Sequence, residues 1–229
     1  MNVSKPNGTT VTYSADGKNY GSDNPSFTNV GTYTVYYRIM KNNYDTIEAS
    51  KTVTINKKSL KNGDVVKDDK ETGDYKVKDV TKKEVTYQKP ANKKLATISV
   101  PATVKIGGVT YKVTSIADNA LANNKKITKV TIGSNVKTIG KKAFYKCTSL
   151  KKITIPSKVK KIGKQIFYGC KKLKTITIKT TKLTSKNVGS KAFKGIYSKA
   201  TIKVPKSKMK SYKKILKAKG VSSKAKIKK

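Results

Sequence analysis

Apolar residues return at a regular interval through the second half of this chain. The recurring unit is an apolar, polar, apolar triplet, which is typical of a strand with one buried face. The triplets are Ile98/Val100, Val130/Ile132, Ile153/Ile155, Ile176/Ile178 and Ile202/Val204. Three further columns keep a spacing of 23: Ile116, Ile139 and Ile162; Ile127, Leu150 and Leu173; Leu121, Phe144 and Phe167. This period predicts a solenoid in which each repeat forms one coil and the apolar columns stack into a continuous core.

The intervals between the triplets predict where the repeat is interrupted. They are 32, 23, 23 and 26 residues. The first interval holds nine extra residues, which we assign to a hairpin around Gly107-Gly108, and the last holds three, near Lys186 to Ser190. We therefore predict about five coils, each contributing about 4.8 Å to a short parallel stack.

The segments that flank the repeats have their own patterns. Residues 57–94 are polar and charged, with strands expected at 75–80 and 84–88, and we predict a linker that leads into an N-terminal β cap. Residues 205–229 form the predicted C-terminal cap. Its helix, at about 207–219, places Met209, Tyr212, Ile215 and Leu216 on one face, with Gly220 at its C-terminus. A final strand is expected at 225–227.

Residues 1–56 are predicted to form a separate β domain. Period-two alternation marks Gly31 to Met40 as a strand, and further strands are expected at 9–13 and 51–55, with a tight turn at Asp16-Gly17. The stretches "TVTYSADGKNY" and "NPSFTNVGTYTVYYRI" resemble the Ig-like repeats of large bacterial surface proteins. A strand that normally precedes this match is missing, so we predict a partial Ig-like β-sandwich.

The repeats resemble a known family. "ITKVTIGSNVKTIGKKAFYKC" (127–147) and "LKKITIPSKVKKIGKQIFYGC" (150–170) are similar to the BspA-like leucine-rich repeats, over about residues 95–204. The tail, "ATIKVPKSKMKSYKKILKAKG", resembles the cap of such arrays. Gly133 and Ile166 depart from the pattern, which has Pro and Ala at these positions. The resemblance implies a mainly β fold, namely a leucine-rich-repeat solenoid with a helical cap. It also implies a bacterial surface or secreted protein. Some members of the family bind host matrix proteins or other cells.

The charge of the chain is extreme and unevenly distributed. The net charge is +41, and from residue 85 onward there are 39 lysines and one acidic residue, Asp118. Arg38 is the only arginine, which argues against sequence-specific nucleic-acid recognition. Two interpretations of the lysines stay open. They form a solvated surface, or they bind a polyanion such as teichoic acid, a glycosaminoglycan or nucleic acid.

The composition also limits the chemistry. The chain has no histidine and no tryptophan. Without histidine it lacks the commonest metal-binding side chain and the commonest catalytic general base. We therefore expect no cofactor, no metal and no enzymatic activity. No apolar run approaches the 18 residues of a membrane span, and residues 1–8 lack the apolar core of a signal peptide. A fragment excised from a larger exported protein would also lack a signal peptide. The resemblance to the BspA-like repeats implies a location outside the cell or on its surface, and we expect this chain to be such a fragment.

Candidate binding residues lie between and beside the buried members of each triplet. We select eight, with low specificity because threonine also suits any exposed strand: Ser99, Thr131, Thr154, Thr177, Lys203, Lys129, Lys152 and Thr175. Cys147 and Cys170 occupy the same repeat position, so a disulfide is geometrically conceivable, but we expect reduced, buried thiols.

These features predict a non-enzymatic surface or secreted module. Its function would be adhesion or protein binding through the leucine-rich-repeat surface, with an extracellular protein or host matrix component as partner. The first alternative is a lysine-rich module that anchors to a polyanionic glycan or the cell wall. The second is an accessory module of a larger secreted hydrolase.

Overall fold

The structure, a computed structural model, describes residues 9–23, 25–26, 31–43, 45–55 and 59–229. The chain divides into two compact units, Met1–Ser59 and Leu60–Lys229. Among the described residues, no helix is long and apolar enough to cross a membrane.

The first unit contains a three-stranded antiparallel sheet. Strand β2 (Gly31–Met40) lies between β1 (Thr10–Ser14) and β3 (Ile47–Ile55). Val35, at the centre of β2, is only 2% exposed. The Nε–H of Arg38 donates a hydrogen bond to Glu48 Oε1 at 2.6 Å, and the guanidinium carbon lies 3.8 Å from the centre of the Tyr20 ring. The only arginine of the chain therefore stabilises this sheet.

The predicted Ig-like sandwich is not confirmed. A sandwich requires two facing sheets, and the described residues of this unit form one. The third strand begins at Ile47, four residues before the predicted start, because Ile47 to Ser50 continue the pairing with β2.

The second unit is built almost entirely of short strands. They are β4 (Val65–Lys67), β5 (Gly73–Asp79), β6 (Glu84–Pro90), β7 (Thr97–Val100), β8 (Thr103–Ile106), β9 (Val109–Ile116), β10 (Lys129–Ile132), β11 (Thr138–Ile139), β12 (Lys152–Ile155), β13 (Lys161–Ile162), β14 (Thr175–Ile178), β15 (Thr201–Lys203) and β16 (Lys226–Lys228). A 3-10 turn (Lys206–Lys208) leads into the helix α1 (Met209–Ala218).

One side of the solenoid is a parallel sheet, which we call the front sheet. Its order is β7, β10, β12, β14, β15, β16. We predict five coils from the sequence, whereas this sheet has six rungs. The difference arises because β16 does not stand apart as a terminal strand but pairs in parallel with β15, Ile227 beside Ile202.

The opposite side is a mixed sheet of seven strands, which we call the back sheet. It runs β13, β11, β9, β6, β5, β4, and β8 pairs with β9. The hairpin predicted around Gly107-Gly108 is present: both glycines have positive φ and connect β8 to β9. The nine extra residues of the first coil therefore add one antiparallel strand.

The core lies between the two sheets and a side of turns. The front triplets and the back column Ile116, Ile139 and Ile162 point into it, each 8% exposed or less. On the turn side, Phe167 lies between Phe144 and Phe193. Its ring centre is 5.4 Å from that of Phe144 and 5.8 Å from that of Phe193. Each fully buried apolar side chain of this size contributes about 1.5–3 kcal/mol.

A column of glycines sets how closely the coils approach. Gly140, Gly163 and Gly189 follow the back-sheet isoleucines or their equivalent, one in each of three successive coils. A Cβ on Gly163 would lie 2.5 Å from the carbonyl carbon of Gly140, and one on Gly189 would lie 2.5 Å from that of Gly163. Gly133, one of the two departures from the repeat pattern, lies equally close to the preceding coil, because a Cβ on it would lie 2.5 Å from the carbonyl carbon of Pro101.

The C-terminal helix packs onto the last coils through one face. Tyr212 and Leu216 are 1% and 2% exposed. The Tyr212 hydroxyl donates to the Thr180 carbonyl oxygen at 2.9 Å and accepts the Leu183 N–H at 3.0 Å. Gly220 follows the helix with φ of +101°, as its position predicts. The helix is thus tied to the loop that holds the last extra residues.

Candidate functional site

The predicted binding residues form two continuous columns on the front sheet. Parallel pairing places Lys129 beside Thr97 and Lys152, and Thr175 beside Lys152. The second column runs Ser99, Thr131, Thr154, Thr177 and Lys203 in successive rungs. Thr175 and Thr177 are half-buried and the other six predicted residues are exposed. We call these two columns the strand face.

The strand face is longer than the sequence indicates. Lys226 pairs with Thr201, and Lys228 pairs with Lys203, so both columns gain a sixth member. Sequence reasoning missed these two lysines because no repeat motif precedes β16. The alternation Lys226, Ile227, Lys228 is the signal that could have found them.

A shallow groove of about 450 Å³ crosses the middle of the strand face. Thr131, Thr154 and Thr177 supply hydroxyl groups along it, and Lys129 and Lys152 border it on the side of the first column. Lys179, which the sequence analysis did not select, also lines the groove because it directly follows β14. The groove therefore offers neutral hydrogen-bonding groups between ammonium groups.

The electrostatics of this surface are one-sided. Residues 119–229 contain lysines but no aspartate or glutamate. In the part of the chain that the structure describes, Lys137 is the one lysine of this stretch with an ion-pair partner, Glu84 at 2.8 Å. Like charges in register, such as Lys129 beside Lys152, repel each other. A partner that brings negative charge to this face would relieve that repulsion.

Glu84 connects the N-terminal strands to the coils. It accepts hydrogen bonds from Lys137 at 2.8 Å, Lys78 at 3.2 Å and the Thr114 hydroxyl at 3.2 Å. The hydrogen bond from Lys137 and the ion pair with Lys78 lower the pKa of Glu84 to about 2. The folded state therefore favours the ionised carboxylate.

Replacing Glu84 with glutamine should reduce the free energy of unfolding by about 2 kcal/mol at pH 7, because three partners lose a charged acceptor. Since the folded pKa is depressed, this stabilisation is complete above the ordinary carboxyl pKa and is lost as pH falls towards about 2. Denaturant unfolding between pH 7 and pH 2 measures it. Glu71→Gln, at an exposed pair of 3.5 Å, is the control and should change stability by less than about 0.5 kcal/mol. Equal effects of the two variants would contradict this account.

The two cysteines are buried free thiols in the structure. Each donates a hydrogen bond across to the preceding coil, Cys147 to the Leu121 carbonyl and Cys170 to the Phe144 carbonyl, both at 3.0 Å. Burial raises the pKa of Cys147 to about 12 and raises that of Cys170 as well. Both groups stay protonated at neutral pH and resist oxidation.

We expect the native protein to be unreactive towards a thiol reagent and both thiols to react after denaturation without reductant. A colorimetric thiol titration measures this. The absence of titratable thiols in the denatured, unreduced chain would instead establish a Cys147–Cys170 disulfide.

Comparison with known proteins supports the same architecture. Residues 91–219, more than half of the chain, match the BspA type leucine rich repeat region in six copies. A leucine-rich repeat protein from Bacteroides ovatus is 31% identical over 57% of this chain and 33% of its own, with a TM-score of 0.50. A leucine rich cell surface protein from Faecalibacterium prausnitzii is 29% identical over 62% of this chain and 37% of its own, with a TM-score of 0.47.

The pneumococcal vaccine antigen PcpA is 17% identical over 63% of this chain and 45% of its own, with a TM-score of 0.47. No curated protein matches the chain. The chain spans about a third of the length of the Bacteroides and Faecalibacterium proteins. The matched residues contain five of the six rungs of the front sheet, β7 to β15, together with the stacked columns of the core. The chain belongs to the BspA-type leucine-rich repeat family.

Proposed function

We propose that this chain is a non-enzymatic binding module of a cell-surface or secreted protein, and that it binds an extracellular protein through the strand face. The observation that carries the proposal is the groove, in which threonine hydroxyls lie beside lysine ammonium groups on one regular sheet. Protein interfaces combine such polar groups with a defined shape. Membership of a family found in bacterial surface proteins supports the location outside the cell.

The charge of the module suggests the chemistry of its partner. Because the strand face presents lysines without acidic neighbours, an acidic protein surface would be attracted to it and held in register. Threonines near the centre of the groove would then contact the partner directly. We therefore expect recognition to depend on shape as well as on charge.

A second candidate function is anchoring to a polyanionic glycan or the cell wall. It is favoured by the many lysines of residues 119–229 that have no ion-pair partner among the described residues. Such binding would depend on total charge rather than on one face.

A salt titration separates the two functions. Purified fibronectin, laminin and collagen serve as protein probes, and heparin serves as the anionic glycan. Affinity is measured from about 0.05 M to about 1 M salt. At the upper limit the Debye length falls to about 3 Å, so charge–charge attraction is largely screened. Binding of a protein probe that persists at high salt supports the proposed function. Binding to heparin alone, lost steeply with salt, would replace it with the second candidate.

A further inference from the structure

The front sheet ends at β7, while the back sheet continues for three more strands in the same direction. Beyond the coil that contains β7 and β9, the back sheet adds β6, β5 and β4. No strand pairs with the outer edge of β7 anywhere in the described ranges of the chain. Among the described residues, the outer edge of β7 is therefore unpaired at the N-terminal end of the front sheet.

The backbone of β7 has hydrogen-bonding groups directed towards this unpaired edge. The carbonyls of Ala96 and Val100 accept hydrogen bonds from Thr128 and Gly133, on the β10 side. Backbone groups alternate along a strand, so the N–H and C=O of Thr97 and Ser99 are directed to the opposite edge. Four backbone groups in a row are thus free to pair with an added strand.

An open cleft lies beside this edge. It has a volume of about 440 Å³ and lies between Ser99 and Pro101 on one side and the turn that contains Asp68 on the other. Asp68 accepts hydrogen bonds from the N–H groups of Thr72 and Gly73 and from the Thr72 hydroxyl, so both its oxygens are engaged. The cleft has space for an extended chain, and its buried carboxylate already has partners.

The two ends of the front sheet differ in how they are protected. Proteins commonly guard an exposed edge strand with lysine, which discourages further pairing. At the C-terminal end β16 carries Lys226 and Lys228, whereas the exposed residues of β7 are the uncharged Thr97 and Ser99. Leu95, just before β7, is 49% exposed. The edge of β7 thus lacks the feature that protects the opposite end.

The surroundings of the edge indicate the charge of its occupant. Lys70 and Lys105 line the cleft, and Lys93 and Lys94 are exposed just before β7. We propose that the edge of β7 binds an extended peptide segment of another protein by strand addition, with acidic residues of that segment near these lysines. The site lies at the end of the strand face and is independent of the groove at its centre.

The probe is a blocked six-residue peptide of alternating threonine and valine with a glutamate at each end. We expect the amides of Thr97 and Ser99 to exchange quickly with solvent in the free protein and to become protected at millimolar peptide, measured by NMR. A peptide with N-methylated backbone amides, which cannot donate, should bind roughly tenfold more weakly. Unchanged exchange at Thr97 and Ser99, or equal binding of the methylated peptide, would overturn the proposal.

Two variants test the backbone contact from the side of the protein. Ser99→Pro removes an outward N–H, which an edge strand tolerates, and should weaken peptide binding roughly tenfold. Ser99→Ala keeps the N–H and should retain binding within about threefold. Circular dichroism checks that both variants fold. If Ser99→Pro fails to fold, the comparison of the methylated and unmethylated peptides still tests the proposal. A dimer of the peptide-free protein, broken by Ser99→Pro, would overturn the proposed partner in favour of a second copy of the chain.

Discussion

Replacing Gly163 with alanine is expected to destabilise the second unit by about 4 kcal/mol or more, since one methyl group would overlap the backbone of the preceding coil. The added Cβ would lie 2.5 Å from the Gly140 carbonyl carbon and 2.6 Å from the Gly140 carbonyl oxygen. Neither atom belongs to a flexible side chain, so the two coils would have to separate. The hydrogen bond from the Gly163 N–H to the Ile139 carbonyl, 2.8 Å long, would be stretched with them.

Thermal or urea unfolding of the full chain, followed by circular dichroism, measures this effect. Lys164→Ala, at the exposed next residue, is the matched control and should change stability by less than about 0.5 kcal/mol. A Gly163→Ala variant as stable as Lys164→Ala would mean that the coils are not packed as closely as described.

Replacing Phe167 with alanine is expected to cost about 4 kcal/mol. The ring is fully buried and lies between Phe144 and Phe193, so its removal opens a cavity that two coils share. Two aromatic contacts, each about 0.5–1.5 kcal/mol, are lost in addition to the burial. Because each coil packs only on its neighbours, the defect would interrupt the core at its middle.

Urea unfolding again provides the measurement. Tyr168→Ala is the control, because Tyr168 is half-buried and stacks on Tyr145 at the surface, 5.4 Å away. We expect the control to cost less than half as much. Similar losses for the two variants would contradict the assignment of Phe167 to the core column.

Much of the solenoid follows from the sequence because each coil repeats the same local problem. A column such as Ile116, Ile139 and Ile162 has one structural explanation, and the structure places all three in the back of the core. The hairpin around Gly107-Gly108 was likewise predictable, because extra residues between two regular coils have to leave the stack. These are local signals, repeated several times.

Contacts that occur once could not be predicted. The pairing of β16 with β15 depends on where α1 directs the chain, and no periodic column marks it. Glu84 meets Lys137 across 53 positions of sequence, so neither residue alone indicates the pair. The same limit applies to the candidate site: the exposed columns of the strand face could be derived from alternation, whereas Lys179 and the groove depend on the shape of the sheet.

The central claim, that the strand face is the binding surface, is tested most directly by two charge-reversal variants with the same change in net charge. The first, Lys129→Glu with Lys152→Glu, alters the strand face. The second, Lys160→Glu with Lys161→Glu, alters two exposed lysines on the back of the solenoid, one just before β13 and one in it. Surface plasmon resonance against the protein probe that survives the salt titration compares them. We predict a loss of affinity of roughly tenfold or more for the first variant and less than about threefold for the second. Equal losses would contradict the account, because binding would then follow total charge and not the strand face.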